Sequence, residues 1–340
     1  MSTPLPLCMI GAGGHSSKNM YPYFWLLKGA HVLANADLDL DRARTVAARF
    51  GIERSYADYR EMLQREKPVG VLVCVSSTFH ARVALELLEA GYHVYLEKPS
   101  CNTLAEAQAM LAASRAADRI CMTAYKKRFA PAYVKAKAII DGEDFGQPAL
   151  LTLLRTRGPF TPTDDPHDAY LLQWGCHVVD LVTYLFGDLA AVAALKTGPA
   201  PWAYAMTLRF VSDAIGTFAV TDRIKGRNHE HLTAVGAGGV SVTVDNSTEM
   251  GAAKDNQPFA HHKPDWVSGS SLGSIEQGYS GELQAFVDAI MSGTQPHANM
   301  THATHTMAVY EAMQTSAAAG GALTNVPPVH TDPTPHAASR

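Results

Sequence analysis

Over roughly its first 124 residues the chain alternates short apolar runs with stretches whose apolar positions recur every three to four residues. The runs at Leu5–Ile10, Val32–Ala36, Val69–Val75, Tyr92–Leu96 and Ile120–Thr123 read as strands. Helices are expected from Gly14 to about Lys28, and over Arg42–Phe50, Asp58–Glu66, Ala81–Gly91 and Leu104–Ala117. Val69–Val75 is almost continuously apolar, as in a parallel strand covered on both faces. Gly91 supplies a helix stop. Strand and helix in alternation specify a doubly wound parallel sheet.

The rhythm changes after Pro131. A helix is expected over Pro131–Asp141, a strand over Ala149–Arg157 and, beyond a Pro/Asp-rich loop at Thr161–Asp168, a helix over Ala169–Asp188. Tyr204, Met206, Leu208 and Phe210 then alternate with smaller or polar neighbours, as do Val240, Val242 and Val244. That period marks strands with one buried face. The fold class is α/β: a parallel N-terminal sheet, then an α+β domain with a large, mostly antiparallel open sheet. The expected divisions are 1–124, 125–325 and a loosely draped or disordered Pro-rich tail at 326–340.

A length of 340 residues fits two domains. With 47% apolar and 18% charged residues the composition is that of an ordinary globular protein. A formal charge of −4 and the lack of a dense Lys/Arg block argue against a nucleic-acid partner. No apolar run approaches the roughly 20 residues of a membrane span, and the first residues do not read as a secretory signal. Cys8, Cys74, Cys101, Cys121 and Cys176 are odd in number and mostly within apolar segments, which reads as reduced thiols in a cytoplasmic protein.

Five stretches carry candidate chemistry. In "GAGGHS", Gly11, Ala12, Gly13, Gly14, His15 and Ser16 join a strand to a helix, where glycines let backbone approach a pyrophosphate. Ser16 replaces the third glycine of the usual fingerprint, so helix–strand packing is expected to loosen slightly. Asp37 ends the next strand, as a solvated turn residue or as the acceptor for adenosine ribose hydroxyls. No arginine follows it to hold a 2′-phosphate, Leu38 standing there instead, which favours NAD over NADP. Ser76, Thr78 and His80 follow the apolar third run at the ligand-binding edge of the sheet, with Thr78 also read as a plain helix cap. Glu97 and Lys98 end the fourth run on the same edge. Lys98 is either a surface charge or a cation aimed at a substrate oxygen. On the helix after the Pro/Asp-rich loop, Gln173, His177, Asp180 and Tyr184 form one polar stripe, beside an apolar stripe of Trp174, Val178, Leu181 and Leu185. The polar stripe is a satisfied internal network or a surface for a polar ligand, and His177 is the natural base in it. His302 with His305, and His261 with His262, lack the carboxylate or thiolate company of a metal site; no metal is expected.

In this order, "GAGG", "AD", "SYADYREML", "SSTFH", "EAGYHVYLEKP", "YKKRFAPAY", "GCHVVDLVTYLFG" and "EQGYSGELQAFVDAI" resemble the glucose–fructose oxidoreductase, inositol dehydrogenase and rhizopine-catabolism (Gfo/Idh/MocA) family over nearly the whole chain. The resemblance implies a Rossmann domain for a nicotinamide cofactor and a second domain for a carbohydrate or polyol substrate, which is usually the homodimer or homotetramer interface as well. Lys98 matches the family's catalytic lysine, His177 its acid/base and Asp180 a substrate-facing carboxylate, while Arg128 matches a position near nicotinamide and substrate. Gln173 stands where inositol dehydrogenases carry an aspartate, so the substrate need not be an inositol.

The activity implied is hydride transfer between NAD and a carbinol carbon of a sugar, sugar derivative or cyclic polyol. The competing readings are an NAD-dependent glycosidase and a non-catalytic sensor. The loop at Lys254–Ser274, with His261, His262 and Trp266, has the aromatic and polar mix of a sugar contact.

Overall fold

The computed structural model describes residues 3–158, 171–198, 203–222, 224, 228–264 and 275–329. Strands β1 (Leu5–Ile10), β2 (Ala30–Ala36), β3 (Arg54–Tyr56), β4 (Gly70–Val73), β5 (His93–Leu96) and β6 (Cys121–Thr123) form one parallel sheet in the order β3-β2-β1-β4-β5-β6. The connections carry α1 (Gly14–Asn19), α2 (Leu40–Phe50), α3 (Tyr59–Glu66), α4 (Ser77–Glu89) and α5 (Leu104–Ala117). The order reverses between β1 and β4, which opens a crevice at their carboxyl ends. The first helix stops at Asn19, short of the expected Lys28. Tyr21–Leu26 continues as a tight 3-10 segment with proline in its first turn, because Pro22 cannot extend the preceding hydrogen-bond ladder.

The second half contains α6 (Pro131–Ile140), β7 (Pro148–Thr156), α7 (Cys176–Phe186), β8 (Leu189–Lys196), β9 (Ala203–Phe210), β10 (Ile215–Thr221), β11 (His229–Gly236), β12 (Val240–Asp245), β13 (Glu249–Lys254), β14 (Gln257–His262), α8 (Tyr279–Ser292), α9 (Met300–Ala318) and β15 (Thr324–Asn325). Its nine-stranded sheet runs β14-β13-β12-β11-β7-β10-β9-β8-β15, antiparallel at every pairing except β7 with β10. The alternating residues of β9 and β12 point inward as their period requires. α9 packs on β8, on α7 and on α5 of the first half.

Two regions differ from expectation. His261 and His262 lie in β14, which pairs with β13, rather than in a loop; Trp266 and the Thr161–Asp168 loop lie outside the described residues. The tail is anchored at its start: Val326 is buried and its N–H donates to the Ala190 carbonyl.

Helix α8, late in the chain, completes the core of the first sheet. Its Leu283, Phe286 and Val287 pack among Leu7, Met9, Leu72 and Tyr95, with the Phe286 and Tyr95 rings edge-on at 5.8 Å.

Candidate active site

Gly11 turns the chain from β1 into α1 with φ +104°, and a Cβ there would stand 2.0 Å from the Cys74 carbonyl oxygen. Only glycine fits. At Gly13 and Gly14 an added Cβ would meet open space, so this backbone is approachable. Ser16 is fully buried, and its hydroxyl donates to the carbonyls of Gly11 and Gly13, each at 3.1 Å. The turn itself thus satisfies the buried hydroxyl that stands in place of the third glycine.

Asp37, just past β2, accepts the Ala12 N–H at 2.7 Å on one oxygen and the Asp39 N–H at 3.0 Å on the other. Arg42 Nη2 also donates to it at 2.5 Å. Burial raises the Asp37 pKa, but these donors hold the carboxyl below its ordinary value. Arg42 corrects the expectation of an arginine-free ribose position. It is five residues on in sequence, yet the first turn of α2 folds it back over the strand end. A cleft of about 770 Å³ runs past Gly13, Gly14, Asp37, Arg42, Ser76 and Arg82. Approachable glycine backbone, a helix start and a carboxylate at the next strand end suit a dinucleotide's pyrophosphate and ribose.

The corner after β5 is internally tied. Glu97 is buried; one oxygen lies 3.0 Å from His15 Nε2 and the other accepts the Lys98 N–H at 2.8 Å. Burial raises its pKa, but His15 and the Lys98 donor and charge reverse that, leaving it lowered. The Lys98–Pro99 peptide is cis. His80, expected at the cofactor, is instead buried, and its Nδ1 donates to the Pro99 carbonyl at 2.8 Å. It braces the corner from behind. Thr78 is not the cap of α4; Ser76 occupies that position.

Facing this corner, one π-helical turn at Leu171–Gly175 precedes α7. Bonding five residues apart breaks the 3.6-residue register, so the polar stripe divides. Gln173 turns toward the first sheet: its side chain reaches Ser77 Oγ at 3.3 Å, and its backbone carbonyl accepts from Lys98 Nζ at 3.3 Å. His177 is 4% exposed, and its Nδ1 has no partner among the described residues. Its pKa is pushed well below 6.5 by burial first and then by Lys98, Arg155, Lys126 and Lys127.

Asp180 does not face an open surface. It is fully buried, and both oxygens accept from Arg128, Nε at 2.9 and 3.0 Å and Nη2 at 2.7 Å. Arg128 also donates to the His297 carbonyl, and its guanidinium stands 5.1 Å over the Tyr184 ring. Tyr184 in turn stacks on His297 at 5.5 Å. Arg128, Asp180 and Tyr184 thus form one interior cluster below His177.

Sequence reading missed a second charged group. Lys127 donates to Glu230 and to Ser247 Oγ, Tyr133 donates to Glu230 at 2.8 Å, and Arg155 Nε lies 3.5 Å from the other Glu230 oxygen. The available signals were "KKRF" and "RTR", cations crowded into otherwise apolar surroundings.

Residues 6–125 match the oxidoreductase family model with an NAD-binding Rossmann fold, and residues 133–242 match the GFO/IDH/MocA C-terminal domain. The chain is 25% identical over 286 residues to the myo-inositol 2-dehydrogenase of Thermotoga maritima, an alignment covering 80% of this chain and 84% of that one. An Agrobacterium radiobacter oxidoreductase solved with NAD+, L-tartaric acid and magnesium superposes with a TM-score of 0.85, 21% identity and coverage of 95% of this chain and 99% of that one. Levoglucosan dehydrogenase in complex with NADH and levoglucosan superposes at 0.84, with 22% identity and coverage of 96% and 100%. With both halves matched in chain order, the chain belongs to the Gfo/Idh/MocA oxidoreductase family.

Proposed function

We propose that the chain is an NAD-dependent dehydrogenase, or a reductase in reverse, acting on a carbinol carbon of a sugar, sugar derivative or cyclic polyol. The observation that carries this reading is that Lys98, tethered by the Gln173 carbonyl, acts electrostatically on the buried His177 imidazole, whose Nδ1 has no partner among the described residues. Bound NAD supplies the hydride acceptor. Lys98 holds the carbinol oxygen and stabilises charge as its proton leaves. His177 stays neutral because burial and neighbouring cations resist its protonation, so it can accept that proton. Gln173 orients the entering hydroxyls, while Arg128 anchors α7 through Asp180 and Tyr184. Ser76, Asp37 and the Gly11–Gly14 turn hold the cofactor. The dehydrogenases of inositol and levoglucosan among the similar proteins support the substrate class.

The test is near-UV absorbance of reduced nicotinamide with NAD or NADP and a panel of monosaccharides, inositols and glycosides. Steady accumulation with one compound establishes the dehydrogenase. Glycoside cleavage without accumulation transfers the reading to the glycosidase.

We further propose a homo-oligomer joined through the outer face of the nine-stranded sheet. Leu150, Leu154, Leu195 and Ile215 stand 39–59% exposed there, an apolar surface that calls for a partner. Light scattering on purified protein tests it. Cytoplasmic residence is supported by five unpaired thiols. No helix among the described residues is long and apolar enough to cross a membrane.

A further inference from the structure

The surroundings of His177 carry more positive charge than a neutral polyol requires. Lys98, Arg155, Lys126 and Lys127 all act on it. Lys127 and Arg155 share Glu230, Arg128 is matched by Asp180, and Glu97 is engaged by His15 and the Lys98 backbone. Lys126 is different. Its ammonium donates to the neutral Gln277 side chain at 2.8 Å and lies 4.0 Å over the Tyr279 ring. It forms no salt bridge among the described residues.

Glu282 favours the charged form of Lys126 but is itself buried, and burial followed by Glu97 raises its pKa well above 4.5. It forms no ion pair with the lysine among the described residues. Burial first, then Lys127, with Arg155 and Lys98 adding to it, pulls the Lys126 pKa down to about 7. An ammonium held only by an amide oxygen and a ring face, with Lys127, Arg155 and Lys98 acting on it, is complementary to an anion.

We infer that the substrate carries a carboxylate, a sugar acid or polyhydroxy acid, which is received by Lys126 on the Arg155 side of the site while its carbinol carbon lies between Lys98 and His177. Lys126 is then the specificity-determining residue, and the inference rests on the dehydrogenase reading above. Gln277 and Tyr279 hold its ammonium in place, one by a hydrogen bond and one by its ring face. Lys126 sits two residues before Arg128 in the short helical turn Lys126–Phe129, so the Arg128–Asp180 pair also fixes where it points.

The experiment uses the intact protein with NAD and matched substrates: D-glucuronate and D-galacturonate, each against its methyl ester and its neutral parent hexose. A charge-assisted contact predicts that kcat/KM for the preferred acid exceeds that of its ester by about tenfold or more. Lys126→Gln should collapse that ratio to within about threefold. Equal rates for acid and ester, or a ratio unchanged in Lys126→Gln, overturn the inference while leaving the dehydrogenase intact. Absence of NAD reduction by the whole panel counts against the dehydrogenase instead. The anion site is then read by calorimetric binding of the same acids and esters to the NAD-loaded protein. Acid binding that is lost in Lys126→Gln supports the inference, and binding with no preference for the acid, or no binding at all, overturns it.

Discussion

Asp180→Asn keeps the shape of a side chain and removes its charge from the interior. Asp180 and Arg128 are each 1% or less exposed, and three hydrogen bonds within 2.7–3.0 Å join them. In the variant, an amide NH2 would replace one acceptor oxygen and face guanidinium donors. Arg128 would retain the His297 carbonyl and the Tyr184 face, neither of which carries a full negative charge. Removing one partner of a buried pair costs about 3–5 kcal/mol. For a cooperative unit of the size of the second half, each kcal/mol lowers Tm by about 2–4 °C, so the transition should fall by about 6–20 °C. Scanning calorimetry at low and high ionic strength measures this, and the deficit should persist at high salt because the pair is shielded from solvent ions. The double variant Arg128→Met/Asp180→Leu should recover most of the loss, since two apolar groups leave no orphaned charge. A deficit below about 1 kcal/mol, or no recovery in the double variant, would refute the account of this pair as an interior support.

Lys98→Met should lower turnover by about 10³-fold while NADH binding, followed by fluorescence, stays close to that of the parent; full activity would remove Lys98 from the mechanism. For neutral substrates, the acid limb of kcat/KM should fall well below pH 6.5. His177 works as the neutral base and its pKa is lowered, so protonation silences it only at lower pH; a midpoint at or above 6.5 contradicts this. Asp37→Ser should free Arg42 for a 2′-phosphate and raise the NADP:NAD ratio of kcat/KM by about tenfold or more, with an unchanged ratio denying Asp37 the role of selecting NAD.

Much of the first half was legible because each piece of its chemistry is local. Gly11, Asp37, Ser76 and Glu97 all fall at or just beyond the ends of apolar runs, and in a parallel sheet those ends share one edge. Arg42 was missed because helix α2 had to be built before it returned to Asp37. The stripe on α7 was legible as polar but not in its partners. Regular helical spacing groups Gln173 with His177, whereas the π turn sends Gln173 to Ser77 and Lys98. Asp180 read as a substrate contact because nothing in its neighbourhood reveals Arg128, 52 residues earlier. The Lys127–Glu230 group was hidden for the same reason, its members lying 103 residues apart.

Helix α8 has a consequence for how such a protein is assembled from parts. The first sheet is encoded almost wholly before residue 124, yet Phe286 reaches within 3.2 Å of where a side chain on Gly70 would begin. A gene fragment ending after β6 would therefore encode a cofactor-binding layer with Leu7, Leu72 and Tyr95 stripped of their cover. Recombination between relatives that exchanges only this fragment pairs one lineage's sheet with another lineage's helix. The heritable unit is discontinuous: the first segment travels well only with a stretch encoded more than 150 residues downstream.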